Sequence, residues 1–171
     1  MSDSTRIYVA SPLGFSEAGR HFQDTVLLPM LRGIGLDVLD PWALTDPARI
    51  AAVGAMAEGV ARRQAWQALN REMAETNRAA IDRAQAMLAV LDGVDVDSGT
   101  AAEIGYAFAR GLRIVGYRGD FRLSADNEGA AVNLQVEHFI RASGGTIVAR
   151  VADLEPALRG LAHGSPPPRV L

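Results

Sequence analysis

The chain has no cysteine and no lysine. Without cysteine there is no disulfide, no thiolate metal site and no thiol nucleophile. Without lysine, chemistry through a Schiff-base lysine is excluded. All 17 basic residues are arginine, none of them in a basic run, and the formal net charge is -3. That balance gives no general polyanion-binding surface, so a nucleic-acid polymer is not an expected partner. No apolar stretch approaches the roughly 20 residues that span a bilayer. The start, MSDSTRIYVASPLG, is too polar for a signal peptide. A cytoplasmic protein without a membrane partner is therefore expected. GxGxxG and Walker A sequences are also missing, so dinucleotide or NTP binding through such loops has no support. His21, His138 and His163 show neither metal-ligand spacing nor a Ser/Asp partner pattern. Surface or packing roles are expected for all three.

What is present fits one globular domain. A length of 171 residues, 49% apolar and 22% charged, suits a single core. Arg6 to Ala10 is β-favouring and ends in the loop signal Ser11-Pro12-Leu13-Gly14. Ser16 is placed to N-cap a helix to about Arg32, with Pro29 kinking it or marking a break. Leu36 to Leu39 reads as a second strand. Pro47 to Arg83 is rich in helix formers, and Gly54 and Gly59 divide it, the second helix covering about Val60 to Arg83. Ala86 to Leu91 is a continuous apolar run, as in a strand buried on both faces of a parallel sheet. A polar loop, Asp92 to Gly99, leads to a helix from about Thr100 to Arg110, C-capped by Gly111. Strands at Leu112 to Tyr117 and Thr146 to Ala149, and helices near Val132 to Ala142 and Leu154 to Leu161, complete the order.

This alternation predicts a single-domain α/β protein: a flavodoxin-like, parallel five-stranded sheet with helices on both faces. The domain is assigned to residues 1–163, with 164–171 an extended proline-rich tail. Ligands in such folds bind beyond the C-terminal ends of the strands, at the switch point in strand order. That places function in the loops Ser11-Gly14, Asp92-Gly99 and Arg118-Asn127.

The densest polar cluster is LDGVDVDSGTAAEIGYA, Leu91 to Ala107. It leaves the most apolar strand and opens a helix. Glu103, expected in about the first helical turn, would be stabilised by the helix N-terminus and stay ionised, as a carboxylate nucleophile must. Gly99, Ala101 and Ala102 leave room for a ligand beside it. The bland alternative is a Glu that merely caps the helix. Asp92, Asp95 and Asp97 superficially suggest a calcium loop, but the context and the position of the closing Glu fit poorly, so no metal is expected.

Leu91 to Ala107, with its DSGTAAEIGYA core, resembles the nucleoside 2-deoxyribosyltransferases. The resemblance extends to Ile7-Tyr8-Val9-Ala10-Ser11-Pro12-Leu13 and to the late pair Asn133-Leu134. It implies that Glu103 attacks the anomeric carbon and forms a glycosyl-enzyme ester, with Tyr8 holding that carboxylate. The alternative for Tyr8 is a core aromatic of the first strand. By the same resemblance Asp97 helps bind substrate and Asp92 begins the same loop, where a turn role is an alternative. Ser98 and Gly99 would be further substrate contacts. Asn133 would reach the sugar from a neighbouring subunit of a homo-oligomer, or simply N-cap the helix that follows.

One departure stands out. The family often has Asp where this chain has Asn77, near the end of the long helix, facing the base. Asn can hydrogen-bond a base but cannot be a general acid. The implied reaction needs no cofactor, with 2'-deoxynucleosides and free nucleobases as partners. A related N-glycosidase on nucleosides or nucleotides is the second reading; Pro12 and Phe15 in the first loop favour a nucleoside. A nucleotide-binding module without turnover is the third.

Overall fold

The computed structural model describes residues 4–162. His163 and the proline-rich tail lie outside the described residues. The sheet forms where β-favouring or continuously apolar runs occur: β1 (Arg6–Ala10), β2 (Asp37–Leu39), β3 (Ala86–Val90), β4 (Arg113–Tyr117) and β5 (Ile147–Val148). All neighbours are parallel, in the order β2-β1-β3-β4-β5. The chain moves outward one way from β1 to β2 and the other way from β1 to β3. The crevice between β1 and β3 is therefore the switch point.

The helices are α1 (Glu17–Phe22), α2 (Leu28–Gly33), α3 (Pro47–Gly54), α4 (Val60–Arg83), α5 (Ser98–Ala109), α6 (Leu134–Ala142) and α7 (Val151–Ala162). They cover both faces of the sheet. Met87 and Ala89 of β3 enter one core with Tyr8, Ile81 of α4, Ile104 of α5 and Ile140 of α6. Ala86, Leu88 and Val90 enter the other, with Leu27, Leu31, Leu154 and Leu158. Both faces of β3 are dry, which is why its sequence does not alternate. Each large side chain buried this way contributes roughly 1.5–3 kcal/mol.

The break expected at Pro29 is present, and two boundaries need correction. A π-helical turn, Gln23–Leu27, separates α1 from α2, so the stretch from Ser16 to Arg32 is interrupted just before Pro29. Pro29 has no N–H to give to Thr25, and it sits at the start of α2, where a missing donor costs nothing. The wider π turn absorbs the break. The first corrected boundary is that of α5, which begins at Ser98, two residues earlier than expected, because Asp97 is the N-cap: its Oδ2 accepts from Thr100 N at 2.9 Å and from Thr100 Oγ1 at 3.2 Å. Glu103 thus lies in the second turn rather than the first. The second is that of α7, which starts at Val151, three residues before the expected Leu154. The expected end of α5 holds: Arg110 closes it and Gly111 follows at φ 76°, the left-handed conformation glycine takes without strain.

Candidate active site

Tyr8 stands in the middle of β1 with no exposed surface. Its hydroxyl leaves the core at the switch point and donates to Glu103 Oε1 at 2.6 Å, joining residues 95 apart in sequence. A phenol–carboxylate bond of this length is in the charge-assisted range. Burial, then the Glu103 charge, pushes the Tyr8 phenol far above its usual range, so it remains a protonated donor. Glu103 is also displaced upward. Burial is the main cause, the Tyr8 hydrogen bond opposes it, and the nearby Asp97 charge adds to it. Glu103 lies one turn further into α5 than expected, where burial raises its carboxyl. Oε2 accepts no hydrogen bond from the described residues.

Glu103 lines a cleft of ≈ 290 Å³ between α4 and α5. The α5 wall is Gly99, Ala102, Glu103 and Tyr106; the α4 wall is Ala74, Asn77, Arg78 and Ile81. Small residues at 99 and 102 keep the approach to the carboxylate open. At Gly99 an added Cβ would come within 3.1 Å of Asp97 Oδ2, so a larger residue would crowd the cap as well as the cleft. Of the residues singled out from sequence, the fold brings together Tyr8, Glu103, Asn77 and Gly99.

The others are placed differently. Asp97 is beside the cleft but spends Oδ2 on capping α5. Asp92 Oδ1 accepts from Asp120 N at 2.9 Å, stapling the loop after β3 to the loop after β4. Asp95 Oδ1 accepts from Val96 N at 2.7 Å. The three Asp carboxylates are thus taken up locally, and among the described residues no three metal-ligating side chains converge. Ser98 is exposed at the first position of α5. Asn133 N-caps α6, its Oδ1 accepting from Gln135 N at 3.0 Å. Its amide N–H pair is not used in that cap.

Several site-building residues carry no sequence signal. Arg118, almost fully buried, donates to the Leu91, Gly93 and Arg122 carbonyls and locks the two loops together. On the β2 side, Ser11 Oγ donates to Gln23 Oε1 at 2.9 Å, and Gln23 Nε2 donates to Asp40 Oδ1 at 3.2 Å. Trp42 Nε1 donates to Ser11 O at 3.0 Å, and its ring leaves no room for a Cβ at Gly14. This network sets the Ser11–Phe15 loop. Asp82 forms a third group. It accepts from the Tyr106 hydroxyl at 2.8 Å and pairs with Arg78 and Arg110 at 2.8 and 2.9 Å.

The family model for nucleoside 2-deoxyribosyltransferase matches residues 7–135, from β1 through the start of α6. The chain belongs to the nucleoside 2-deoxyribosyltransferase family. That membership makes it a glycosyltransferase or a related N-glycoside hydrolase. Solved structures agree in fold. A conserved protein from Enterococcus faecalis V583 is 25% identical, with a TM-score of 0.67 over 92% of this chain and 99% of that one. A 2-desoxiribosyltransferase from Leishmania mexicana is 21% identical, with a TM-score of 0.60 over 94% and 99%. A CMP N-glycosidase from Clostridium botulinum is 18% identical, with a TM-score of 0.52 over 91% and 98%. Comparison with curated proteins gives no match. No helix among the described residues is long and apolar enough to cross a membrane.

Proposed function

We propose that this family member cleaves the N-glycosidic bond of 2'-deoxynucleosides through a covalent Glu103 ester and passes the deoxyribosyl group to a second nucleobase. The observation that carries the reading is the 2.6 Å bond from buried Tyr8 to Glu103 at the cleft. Tyr8 holds Oε1, so Oε2 attacks C1'. The C1'–N bond breaks and its electron pair leaves with the base. An acceptor base then attacks C1' through a ring nitrogen, which loses its proton to solvent, and the ester C–O bond returns its pair to Glu103. Two inversions retain the anomeric configuration. Asp97 supports substrate binding at the head of α5. The Asn133 amide reaches the sugar of a neighbouring copy in a homo-oligomer. Water in place of the acceptor base gives hydrolysis, the second reading, favoured by the fold shared with the CMP N-glycosidase.

Incubation with 2'-deoxyinosine, with and without free adenine, followed by chromatography, tests this. The expected products are hypoxanthine plus 2'-deoxyadenosine when adenine is present, and faster turnover than on inosine. Release of hypoxanthine at one rate with or without adenine, and no new nucleoside, identifies the hydrolase. No base release at all rejects both readings and leaves a binding module.

Asn77 gives a separate prediction. It lines the cleft opposite Glu103 and cannot deliver a proton. Purines, which can be protonated on the ring from solvent, should therefore leave faster than pyrimidines. Asn77→Asp should add a titrating limb to the pH–rate profile and shift base preference on the order of 10- to 100-fold, the low end of general acid catalysis. Unchanged profiles and preference in the variant would make Asn77 a structural residue.

A further inference from the structure

The two walls of the cleft present ionisable side chains of opposite sign. The α5 wall carries Glu103; the α4 wall carries Arg78, which is the one cation among the cleft-lining residues. Displacement at an anomeric carbon puts nucleophile and leaving group on opposite faces of the sugar. With Glu103 attacking from α5, the departing base is directed toward α4, where Asn77 and Arg78 stand. Arg78 is held there rather than free. Its Nε donates to Glu75 Oε2 at 3.0 Å, Nη2 meets the same oxygen at 3.0 Å, and Nη1 donates to Asp82 Oδ2 at 2.8 Å. Asp82 in turn fixes the Tyr106 ring on the facing wall through its hydroxyl. A guanidinium has five N–H donors, so this clamp leaves donors to spare. The charge is permanent, and its position is set before substrate arrives.

We propose that Arg78 stabilises the negative charge that develops on the departing nucleobase. This rests on the glycosyl-transfer reading and supplies what Asn77 lacks, by electrostatics instead of proton transfer. As the C1'–N bond breaks, its electron pair moves onto the base and its carbonyl oxygens. Hydrogen bonds from Arg78 meet that charge, no proton leaves the guanidinium, and the free base takes its proton from water. The effect is greatest for pyrimidines, which have no ring nitrogen for solvent to protonate as readily as a purine N7. A preorganised donor aimed at developing charge is the general device. The competing account is that Arg78 only makes i,i+3 and i,i+4 ion pairs on an exposed helix face.

Leaving-group dependence separates the two. The substrates are 2'-deoxyuridines with hydrogen, fluorine or a nitro group at C5, whose bases are progressively better leaving groups. kcat/KM is measured for wild type, Arg78→Gln and Arg78→Met, with thermal melting as a check on fold. Gln and Met both suit a helix, and either variant gives the readout if the other disturbs folding. The expected loss is about 10²- to 10³-fold for the unsubstituted base, shrinking to within about threefold for the nitro compound. The dependence on leaving-group acidity therefore steepens. An equal loss across the series, or none, overturns the assignment. A wild-type protein that cleaves none of the series, nor 2'-deoxyinosine, rejects the glycosyl-transfer reading itself and the Arg78 assignment with it.

Discussion

Glu103→Gln is expected to lower turnover by about 10⁴-fold or more, the scale of losing a covalent nucleophile, while making the folded protein more stable at neutral pH. The two effects share one cause. Gln has nearly the shape of Glu, and its amide oxygen can still accept from the Tyr8 hydroxyl. It is a poor nucleophile, so the ester does not form. It also carries no charge to desolvate. Burial raises the Glu103 carboxyl above its ordinary value near 4.5. The native state then binds a proton more tightly than the unfolded chain does. Stability conferred by that proton is present below the ordinary value and is lost as pH rises through the raised native value. Wild type should therefore lose stability across that window, and Glu103→Gln should not. Melting curves from acid to neutral pH should show a gap in favour of the variant that opens as pH rises and closes in acid. A variant with normal turnover would remove Glu103 from the chemistry. A gap that does not change with pH would show that the carboxylate is not strained by its burial.

This combination explains why part of the site was readable from the chain and part was not. The run Ala86 to Leu91 announces a strand dry on both faces because nothing polar interrupts it, and it proves to be the centre of the sheet. The DSGTAAEIGYA segment is local: a cap, two small residues and a carboxylate within one helix, so spacing and resemblance suffice to single out Glu103. Its environment is not local. Desolvation depends on what β1 and α4 place over it, and those residues are distant in sequence. The one-turn error came from Asp97 taking the cap, which a string of Asp, Ser and Thr leaves open. Asn133 was readable as either cap or ligand; the structure shows the cap, made by its Oδ1, which leaves the amide N–H pair outside that bond. The Asp82 group was invisible. Arg78 and Asp82 are one helical turn apart, but Tyr106 and Arg110 join them only through packing of α4 on α5. The π turn after α1 follows from Pro29, yet where a helix absorbs a proline is decided by which neighbouring carbonyls are free.

Tyr8→Phe should reduce kcat by about 10- to 100-fold with little change in KM, the rate equivalent of removing a hydrogen bond to a charged group worth roughly 1.5–3 kcal/mol. The ring would still fill its place in the core with Met87, Ala89 and Ile104. Only the hydroxyl is lost, and with it the 2.6 Å bond that orients Glu103. That bond is also the group that lowers the Glu103 pKa against burial. Its removal should move the native carboxyl further up, so the acid limb of the pH–rate profile, where Glu103 must ionise to attack, shifts to higher pH. Stability follows the same sign. At neutral pH the variant keeps a buried carboxylate without its donor and should melt below wild type. As pH falls and Glu103 takes up a proton, that penalty fades and the two melting temperatures converge. Tyr8 itself should contribute no limb, since its phenol is held protonated throughout the working range. A core aromatic with no catalytic part would behave otherwise: the variant would keep the wild-type pH profile and any loss of melting temperature would be the same at every pH. Rate profiles and melting curves over the same pH series decide between a tyrosine that only packs and one that sets the nucleophile.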